Sequence, residues 1–220
     1  MKKSALIFLS IVFSLSVNGQ RRFDYYDFGA FVGTMNYNGD VATGAISGYL
    51  SDVRPNAGAY LRTTFSSWFS LGMEGSYAFI YSSDQNHGRS DGRDFEVRTH
   101  MIQLNPFFEM NFSKFGKYRR QQKTALCIKA GGGVNFYNPD VKDETRFSES
   151  FIVRPNAYMG FNYFGGMGLK VRTSYRSYLN FEFLGHFTTF DDLEGWEYQS
   201  NRTSNDFYGG LRIGYNHMFY

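Results

Sequence analysis

The amino-acid sequence predicts an all-β protein, an eight-stranded antiparallel transmembrane β-barrel of the outer-membrane type. Three observations support this prediction: an N-terminal export signal, eight segments in which apolar and polar residues alternate, and connections that alternate between long and short. The composition agrees, because aromatic residues make up 20% of the chain and 24 residues are Gly. Aromatic side chains suit the pleated surface of a sheet, whereas Gly disfavours a helix.

The N-terminus has the features of a secretory signal peptide. Lys2 and Lys3 precede the apolar run ALIFLSIVFSLSV, and the small residue Gly19 precedes Gln20. Residues 1–19 are therefore predicted to be removed, which leaves 20–220 as one transmembrane β-barrel domain. The alternative is a membrane-anchoring helix, which would need about 20 apolar residues and so a longer run than this one. A single cysteine, Cys127, leaves no internal disulfide to stabilise the exported domain.

Eight segments alternate apolar and polar residues with a period of two, which predicts strands with two different faces. They are residues 25–35, 54–65, 69–81, 102–112, 124–136, 151–163, 167–179 and 207–219. The clearest is 69–81, in which Phe69, Leu71 and Met73 lie on one face while Ser70 and Glu74 lie on the other. Such strands are longer than the roughly 5–6 residues usual in globular proteins, and their length suits a tilted membrane strand.

The remaining strands show the same alternation, and it is more regular in some of them than in others. The apolar faces carry Leu61 and Phe65 in the second strand, Ile102 and Leu104 in the fourth, Leu126 and Ile128 in the fifth, and Met159 and Phe161 in the sixth. The first, seventh and eighth strands alternate less cleanly, and they complete an even set.

The connections predict how the strands are arranged. Residues 66–68 and 164–166 are short and 113–123 intermediate, whereas 36–53, 82–94, 138–150 and 180–206 are long. Short turns at one end and long polar loops at the other are typical of outer-membrane barrels, and an even strand number places both termini in the periplasm. Polar faces then point inward and apolar faces meet outer-membrane lipid. The alternative, a soluble sandwich or lipocalin-like barrel, would place the apolar faces inside.

A pentapeptide, VRPNA, occurs at 53–57 and again at 153–157. Proline lacks the N–H that a sheet needs, so it is tolerated at the first residues of a strand. Each copy is therefore predicted to open a strand after a long loop. Pro55 and Pro155 would face outward, while the Arg and Asn of each copy would line the lumen near the outer mouth.

Inward-facing charged and polar residues are predicted to form a network in the lumen. Eight strands enclose a core filled by side chains, and enclosed charges must be paired or hydrated. The predicted network comprises Arg54, Asn56, Arg62, Glu74, Glu109, Lys129, Arg154 and Asn156. An apparent excess of inward basic residues leaves a second interpretation open, an anion site near Arg54 and Arg154.

No chemistry-bearing motif is present in the sequence, so the chain is predicted not to be an enzyme and to need no cofactor or metal. The four histidines, at 87, 100, 186 and 217, lack metal-ligand spacing, and His217 has no Ser beside it in YNHMFY. The net charge of +3 includes Lys2 and Lys3, so the mature chain has no strongly basic character and no nucleic-acid partner is predicted.

Residues 114–123, KFGKYRRQQK, form the most distinctive predicted periplasmic feature, termed here the basic turn. It contains Lys114, Lys117, Arg119, Arg120 and Lys123 and no acidic residue. It is interpreted either as a solvated turn or as a docking surface for a periplasmic partner or an anionic surface.

Three stretches resemble the PorG-like small outer-membrane barrels of Bacteroidota, components of type IX secretion. They are FGAFVGTMNYNGD at 28–40, RPNAGAYLRTTFSSWFSL at 54–71 and NDFYGGLRIGYNHMFY at 205–220. In its last outer loop that family tends to carry an acidic Thr-Asp-Tyr-Leu-Asp-Asp stretch, of which RSYLNFE at 176–182 keeps Tyr178 and Leu179. The resemblance implies a barrel that anchors a periplasmic assembly and binds secretion-system subunits. The alternative is a standalone barrel that binds ligands or partners through its extracellular loops.

Overall fold

The computed structural model describes residues 25–38, 52–83, 96–141, 151–153, 158–189, 196–198 and 206–219. The strands are β1 (Tyr25–Asn38), β2 (Arg54–Thr64), β3 (Phe69–Ser83), β4 (Glu96–Asn111), β5 (Thr124–Val141), β6 (Phe151–Val153), β7 (Tyr158–Arg172), β8 (Ser177–Thr188), β9 (Trp196–Tyr198) and β10 (Phe207–Met218). Eight of them close into an antiparallel barrel in the order β1-β10-β8-β7-β5-β4-β3-β2, as the sequence predicts. Within these residues, no helix is both long enough and apolar enough to cross a membrane.

The barrel has two different ends. Residues 65–68, 112–123 and 173–176 connect strands at one end, where β1 also begins and β10 finishes. This end is called the short-turn end, and the opposite one, where the other connections lie, is called the long-loop end. The first two connections fall where the sequence predicts them.

The third short connection corrects the prediction. Residues 164–166 were expected to form a turn between strands at 151–163 and 167–179, but β7 runs straight through them. Gly165 pairs with Ala130 of β5 on one side and with Gly185 of β8 on the other. A Cβ at Gly166 would stand 2.0 Å from the carbonyl oxygen of Phe183, so Gly is needed there for close strand packing and not for a turn.

One further expectation changes with that correction. Residues 177–188 form β8 and are not part of a loop, so the 176–182 stretch lies at the short-turn end and not in the last outer loop. Of the second VRPNA copy, only Val153 lies within the described residues, and it belongs to β6. That strand pairs with β9 outside the barrel, and residues 154–157 lie outside the described part of the chain.

The outer surface of the barrel is apolar, the reverse of a soluble barrel. Val32, Met167 and Leu211 are each more than 60% exposed although they lie in the middle of strands. Aromatic side chains are exposed towards both ends of the wall. Those at the short-turn end are Phe65, Trp68, Phe69, Phe112 and Phe219, and those towards the long-loop end are Tyr77, Phe136, Tyr163 and Phe187. An apolar band between two aromatic girdles is the surface of a transmembrane barrel.

Labelling of Cys127 tests which face of each strand points into the lumen and which points away from it. Its thiol faces the lumen and is 1% exposed. We expect a maleimide reagent not to label the folded barrel and to label it fully after unfolding, measured as a mass shift. A Ser174→Cys variant, whose new thiol lies on an exposed short turn, should be labelled at once in the folded state. Rapid labelling of Cys127 in the folded protein would contradict the inward assignment.

Candidate functional site

The lumen is the first candidate site, and side chains fill it in layers. Nearest the short-turn end lies an apolar cluster of Tyr25, Phe115, Ala125, Tyr178 and Met218. Two tiers of ion pairs follow, then a belt of amides. A second apolar cluster, with Met35, Tyr37, Ile80, Met101 and Tyr208 among its members, lies towards the long-loop end. The barrel is therefore a packed core and not an open channel, as expected for eight strands.

The lower ion-pair tier is organised by Arg62 of β2. Its guanidinium contacts Asp27 of β1 at 2.9 Å and Glu109 of β4 at 2.5 Å, and all three residues are at most 1% exposed. Glu109 also binds the ammonium group of Lys170, which donates to Asn111 at 2.8 Å. Two cations thus face two carboxylates in this tier.

The upper tier is organised by Glu74 of β3. Its two carboxylate oxygens accept hydrogen bonds from Arg212 of β10 at 2.7 and 2.8 Å, a two-pronged arrangement that fixes both groups. Lys129 donates to the same carboxylate at 2.7 Å. Glu182 of β8 completes the tier by binding Arg212 and lying 3.7 Å from Lys129.

Amide side chains form the belt above the upper tier. Gln103 donates to the Tyr208 hydroxyl at 2.5 Å and to Asn135 at 3.2 Å, and Asn162 donates to Asn135 at 2.5 Å. His186 lies stacked between Phe164 and Tyr208. Neutral groups of this kind add no net charge, so the electrostatic character of the lumen is set by the two tiers.

Four of the sequence-predicted lumen residues, Arg62, Glu74, Glu109 and Lys129, lie in the two tiers. Asn56 is buried nearer the long-loop end. Arg54 is half-buried at that rim, where its guanidinium lies 4.2 Å over the ring of Tyr81 and donates to the Val53 carbonyl. Arg154 and Asn156 lie outside the described residues.

The sequence predicts an excess of basic residues in the lumen, but the two tiers do not have one. Sequence reasoning placed Glu182 in a loop, but its carboxylate balances Arg212 in the upper tier. The tiers therefore hold four cations and four carboxylates, which are Arg62, Lys129, Lys170 and Arg212 facing Asp27, Glu74, Glu109 and Glu182. The alternation in NFEFLGHFT, with Glu182 and His186 opposite Phe181 and Phe183, was the signal that could have placed it.

The basic turn lies under the short-turn mouth of the barrel. Its Phe115 is 2% exposed and packs edge-on against Tyr178, with ring centroids 5.2 Å apart. Arg172 of β7 donates to the Gly116 carbonyl at 2.7 Å, and Arg120 lies 3.7 Å over the ring of Tyr175 in the neighbouring turn. These contacts hold the turn against the barrel, while Lys114, Arg119 and Lys123 remain exposed.

A serine and a histidine do meet, although they are far apart in the sequence. Ser177 of β8 lies opposite His217 of β10, with 3.3 Å between the hydroxyl and Nδ1, and the Tyr215 hydroxyl donates to Ser177 at 2.7 Å. The Ser177 side chain is buried, and no carboxylate among the described residues is hydrogen-bonded to His217. A nucleophile needs an accessible oxygen and a base oriented by a third group, so this pair does not favour hydrolysis. The part of the chain that is described also contains no group of three metal-ligating side chains.

The barrel is similar to solved structures of outer-membrane proteins. Neisserial surface protein A matches with a TM-score of 0.53 at 9% identity, covering 88% of this chain and 97% of that chain. A major outer membrane protein from Thermus thermophilus matches with a TM-score of 0.50 at 11% identity, covering 88% of this chain and 99% of that chain. No family model matches the chain, and no curated protein matches its sequence. Identities this low establish the fold alone.

Proposed function

We propose that this chain is a non-enzymatic integral outer-membrane barrel that anchors a periplasmic protein assembly through its short-turn end. The observation that supports the proposal is that the lumen is filled and charge-balanced, while the basic turn is held against the barrel beneath it. A packed lumen offers neither a conduit nor a ligand cavity. The side chains that a partner could bind are therefore those at the ends of the barrel.

Membrane insertion is supported by the apolar outer wall and its two aromatic girdles. With an even number of strands, both termini leave the barrel at the short-turn end, which faces the periplasm in outer-membrane barrels. Removal of residues 1–19 as a signal peptide fits this orientation. The basic turn then projects into the periplasm, and the β6–β9 ribbon lies with the long loops outside the cell.

The type IX role is supported by where the PorG-like stretches fall in the fold. They comprise most of β1, the whole of β2 with its turn and the first three residues of β3, and β10. β10, β1 and β2 are consecutive in the barrel, so the resemblance covers one continuous part of the wall. Periplasmic subunits of a type IX secretion system are accordingly the partners we propose.

The basic turn is the proposed docking surface because its charges are exposed and its backbone is fixed. A surface already held in its bound shape costs less to bind than a mobile loop. Positive charge on a turn whose own sequence contains no acidic residue would attract an acidic face on the partner and speed its association.

Removing the exposed charges should abolish partner capture. A variant with Lys114→Gln, Arg119→Gln and Lys123→Gln is compared with a charge-conserving variant, Lys114→Arg, Arg119→Lys and Lys123→Arg. After crosslinking in intact cells and purification of the barrel, we expect a periplasmic protein that crosslinks to the native chain and to the charge-conserving variant. Its yield from the Gln variant should fall at least about tenfold, because rim charges govern encounter.

Identical crosslinking of all three proteins would refute docking at the basic turn. Crosslinks that depend only on residues of the long loops would favour the alternative, a standalone barrel that binds through its extracellular side. Each variant must first migrate as a folded barrel in a gel run without heating.

A further inference from the structure

A cavity of about 520 Å³ lies in the basic turn, at the short-turn end of the barrel. Its volume falls in the range of roughly 300–1,000 Å³ that ligand pockets occupy. Six side chains of the turn line it, which are Lys114, Tyr118, Arg119, Arg120, Gln121 and Gln122. Lysine and arginine side chains can only donate hydrogen bonds, whereas an ionised carboxylate can only accept them. The lining is therefore suited to an acidic group.

Arg120 lines this cavity with a guanidinium that the neighbouring turn orients. It lies 3.7 Å over the ring of Tyr175, a van der Waals distance at which the flat face of the guanidinium rests on the ring. Stacking uses the face of the group and leaves the N–H donors at its edge accessible. Among the described residues, no hydrogen bond or ion pair engages the Arg120 side chain, which is exposed. Its fork of donors is thus oriented and open to a ligand.

Arg172 of β7 fixes the two turns relative to each other. Its guanidinium donates to the carbonyl oxygens of Gly116 at 2.7 Å and Gln122 at 3.3 Å, both in the basic turn. It also donates to the Tyr175 carbonyl at 3.4 Å. The backbone that bears Arg120 and the ring beneath it therefore belong to one frame. A site already held in its bound shape loses less freedom when it binds.

The sequence around the cavity offers Arg120 few carboxylates of its own. The three connections at the short-turn end contain no Asp or Glu. Residues 20–24, which precede β1, read QRRFD and so add two arginines and one aspartate. The carboxylates of the lower tier lie in the lumen and bind the cations of that tier. A carboxylate supplied by another molecule is therefore the natural ligand of Arg120.

We propose that Arg120 binds a carboxylate side chain in an acidic segment of the periplasmic partner, with both carboxylate oxygens accepting hydrogen bonds from its guanidinium. Tyr175 is a positioning residue, because it acts through the guanidinium that rests on it. Lys114 and Arg119, the other cations of the lining, attract the same segment. The inference rests on the proposed docking at the basic turn and adds the residue that recognises the partner and the chemical group that it recognises.

Peptide binding tests this assignment. The barrel is reconstituted in phosphatidylcholine nanodiscs, which have no net lipid charge, and binding of a rhodamine-labelled, amidated tetraglutamate peptide is followed by fluorescence anisotropy. We expect saturable binding of this peptide and none of the tetraglutamine peptide. Arg120→Lys keeps the charge but loses the two-pronged geometry, so it should weaken binding at least about tenfold. Arg119→Lys is the matched control and should bind as the native chain does.

A Tyr175→Leu variant tests positioning, because it leaves every charge in place. Without the ring the guanidinium must be ordered on binding, so the affinity for the tetraglutamate peptide should fall roughly fivefold. The salt dependence of binding should stay as in the native chain, because the number of charges is the same. Unchanged affinity in this variant would contradict the role given to Tyr175.

Equal affinity of the native chain for the two peptides, or native affinity in Arg120→Lys, would overturn the inference. So would Arg120-dependent flotation of the barrel with phosphatidylglycerol vesicles in the absence of peptide binding, which would assign Arg120 to lipid headgroups. The crosslinking variants described above leave Arg120 unchanged, so they test partner docking separately from its recognition of a carboxylate. Folded migration of every variant in unheated gels separates these outcomes from a failure of barrel insertion.

Discussion

Replacing Arg62 by Met should lower the free energy of unfolding by about 3–5 kcal/mol, the usual effect of removing one member of a buried ion pair. Arg62 is 1% exposed and lies between the carboxylates of Asp27 and Glu109. Without its guanidinium, Glu109 keeps Lys170 as a partner, but Asp27 loses its ion pair. The penalty comes from an uncompensated negative charge inside the barrel, not from the lost attraction alone.

A double variant that removes one charge of each sign from the lower tier is the control for this prediction. Asp27→Asn together with Arg62→Met removes one charge of each sign and leaves Glu109 paired with Lys170. The double variant should therefore lose less stability than the sum of the two single variants, by about 0.5–3 kcal/mol. Urea unfolding of the refolded barrel in liposomes, followed by Trp fluorescence and unheated gel migration, measures all four proteins. Additive losses would show that Asp27 and Arg62 are not coupled.

One of the two exposed arginines of the basic turn, Arg120, provides a second comparison. Arg120 lies on the outside of the barrel, over Tyr175, and has no ion pair among the described residues. Arg120→Met should change stability by about 1 kcal/mol or less, the range of an exposed cation–π contact. A loss as large as that of Arg62→Met would mean that burial does not explain the effect.

The alternation of apolar and polar residues predicted the barrel because one face of a transmembrane strand meets lipid and the other faces the lumen. The same reasoning failed at Phe164-Gly165-Gly166, where two glycines resemble a turn. In the sheet, Gly166 meets the backbone of β8, and Gly165 is one of several small residues on the outer face. The local sequence does not distinguish a glycine that lets the chain turn from one that lets two strands approach. Only the pairing of β7 with both neighbours decides between them.

The sequence predicts which charged residues face the lumen, but it does not predict which of them form ion pairs. Parity along each strand identifies Arg62, Glu74 and Glu109 as inward-facing, because alternate residues share a face. It does not identify their partners, since Arg62 of β2 reaches Glu109 on β4, and Glu74 of β3 reaches Arg212 on β10. Those contacts cross the lumen and depend on the diameter and stagger of the closed ring.

Replacing Gly210 by Ala should prevent closure of the barrel. Gly210 lies on β10 at the seam with β1, and a Cβ there would stand 1.7 Å from the carbonyl oxygen of Thr34. That oxygen belongs to the backbone, so the side chains cannot relieve the contact and the strands must separate. Overpacking a core usually costs about 1–3 kcal/mol, and a backbone clash at the closing seam should exceed that range. An opened seam would also expose unpaired N–H and C=O groups to lipid, which the membrane does not tolerate.

Gly75 of β3 is the matched control for this substitution. It lies within a barrel strand as Gly210 does, but a Cβ at Gly75 has no atom within 4 Å. Gly75→Ala should fold normally and gain up to about 0.5–1 kcal/mol, because Ala restricts the unfolded chain more than Gly. The fraction of each protein that migrates as a folded barrel, and the fraction whose Cys127 resists maleimide, measure closure independently. If Gly210→Ala closes as completely as Gly75→Ala, the contact between β10 and β1 is not what requires glycine at this position.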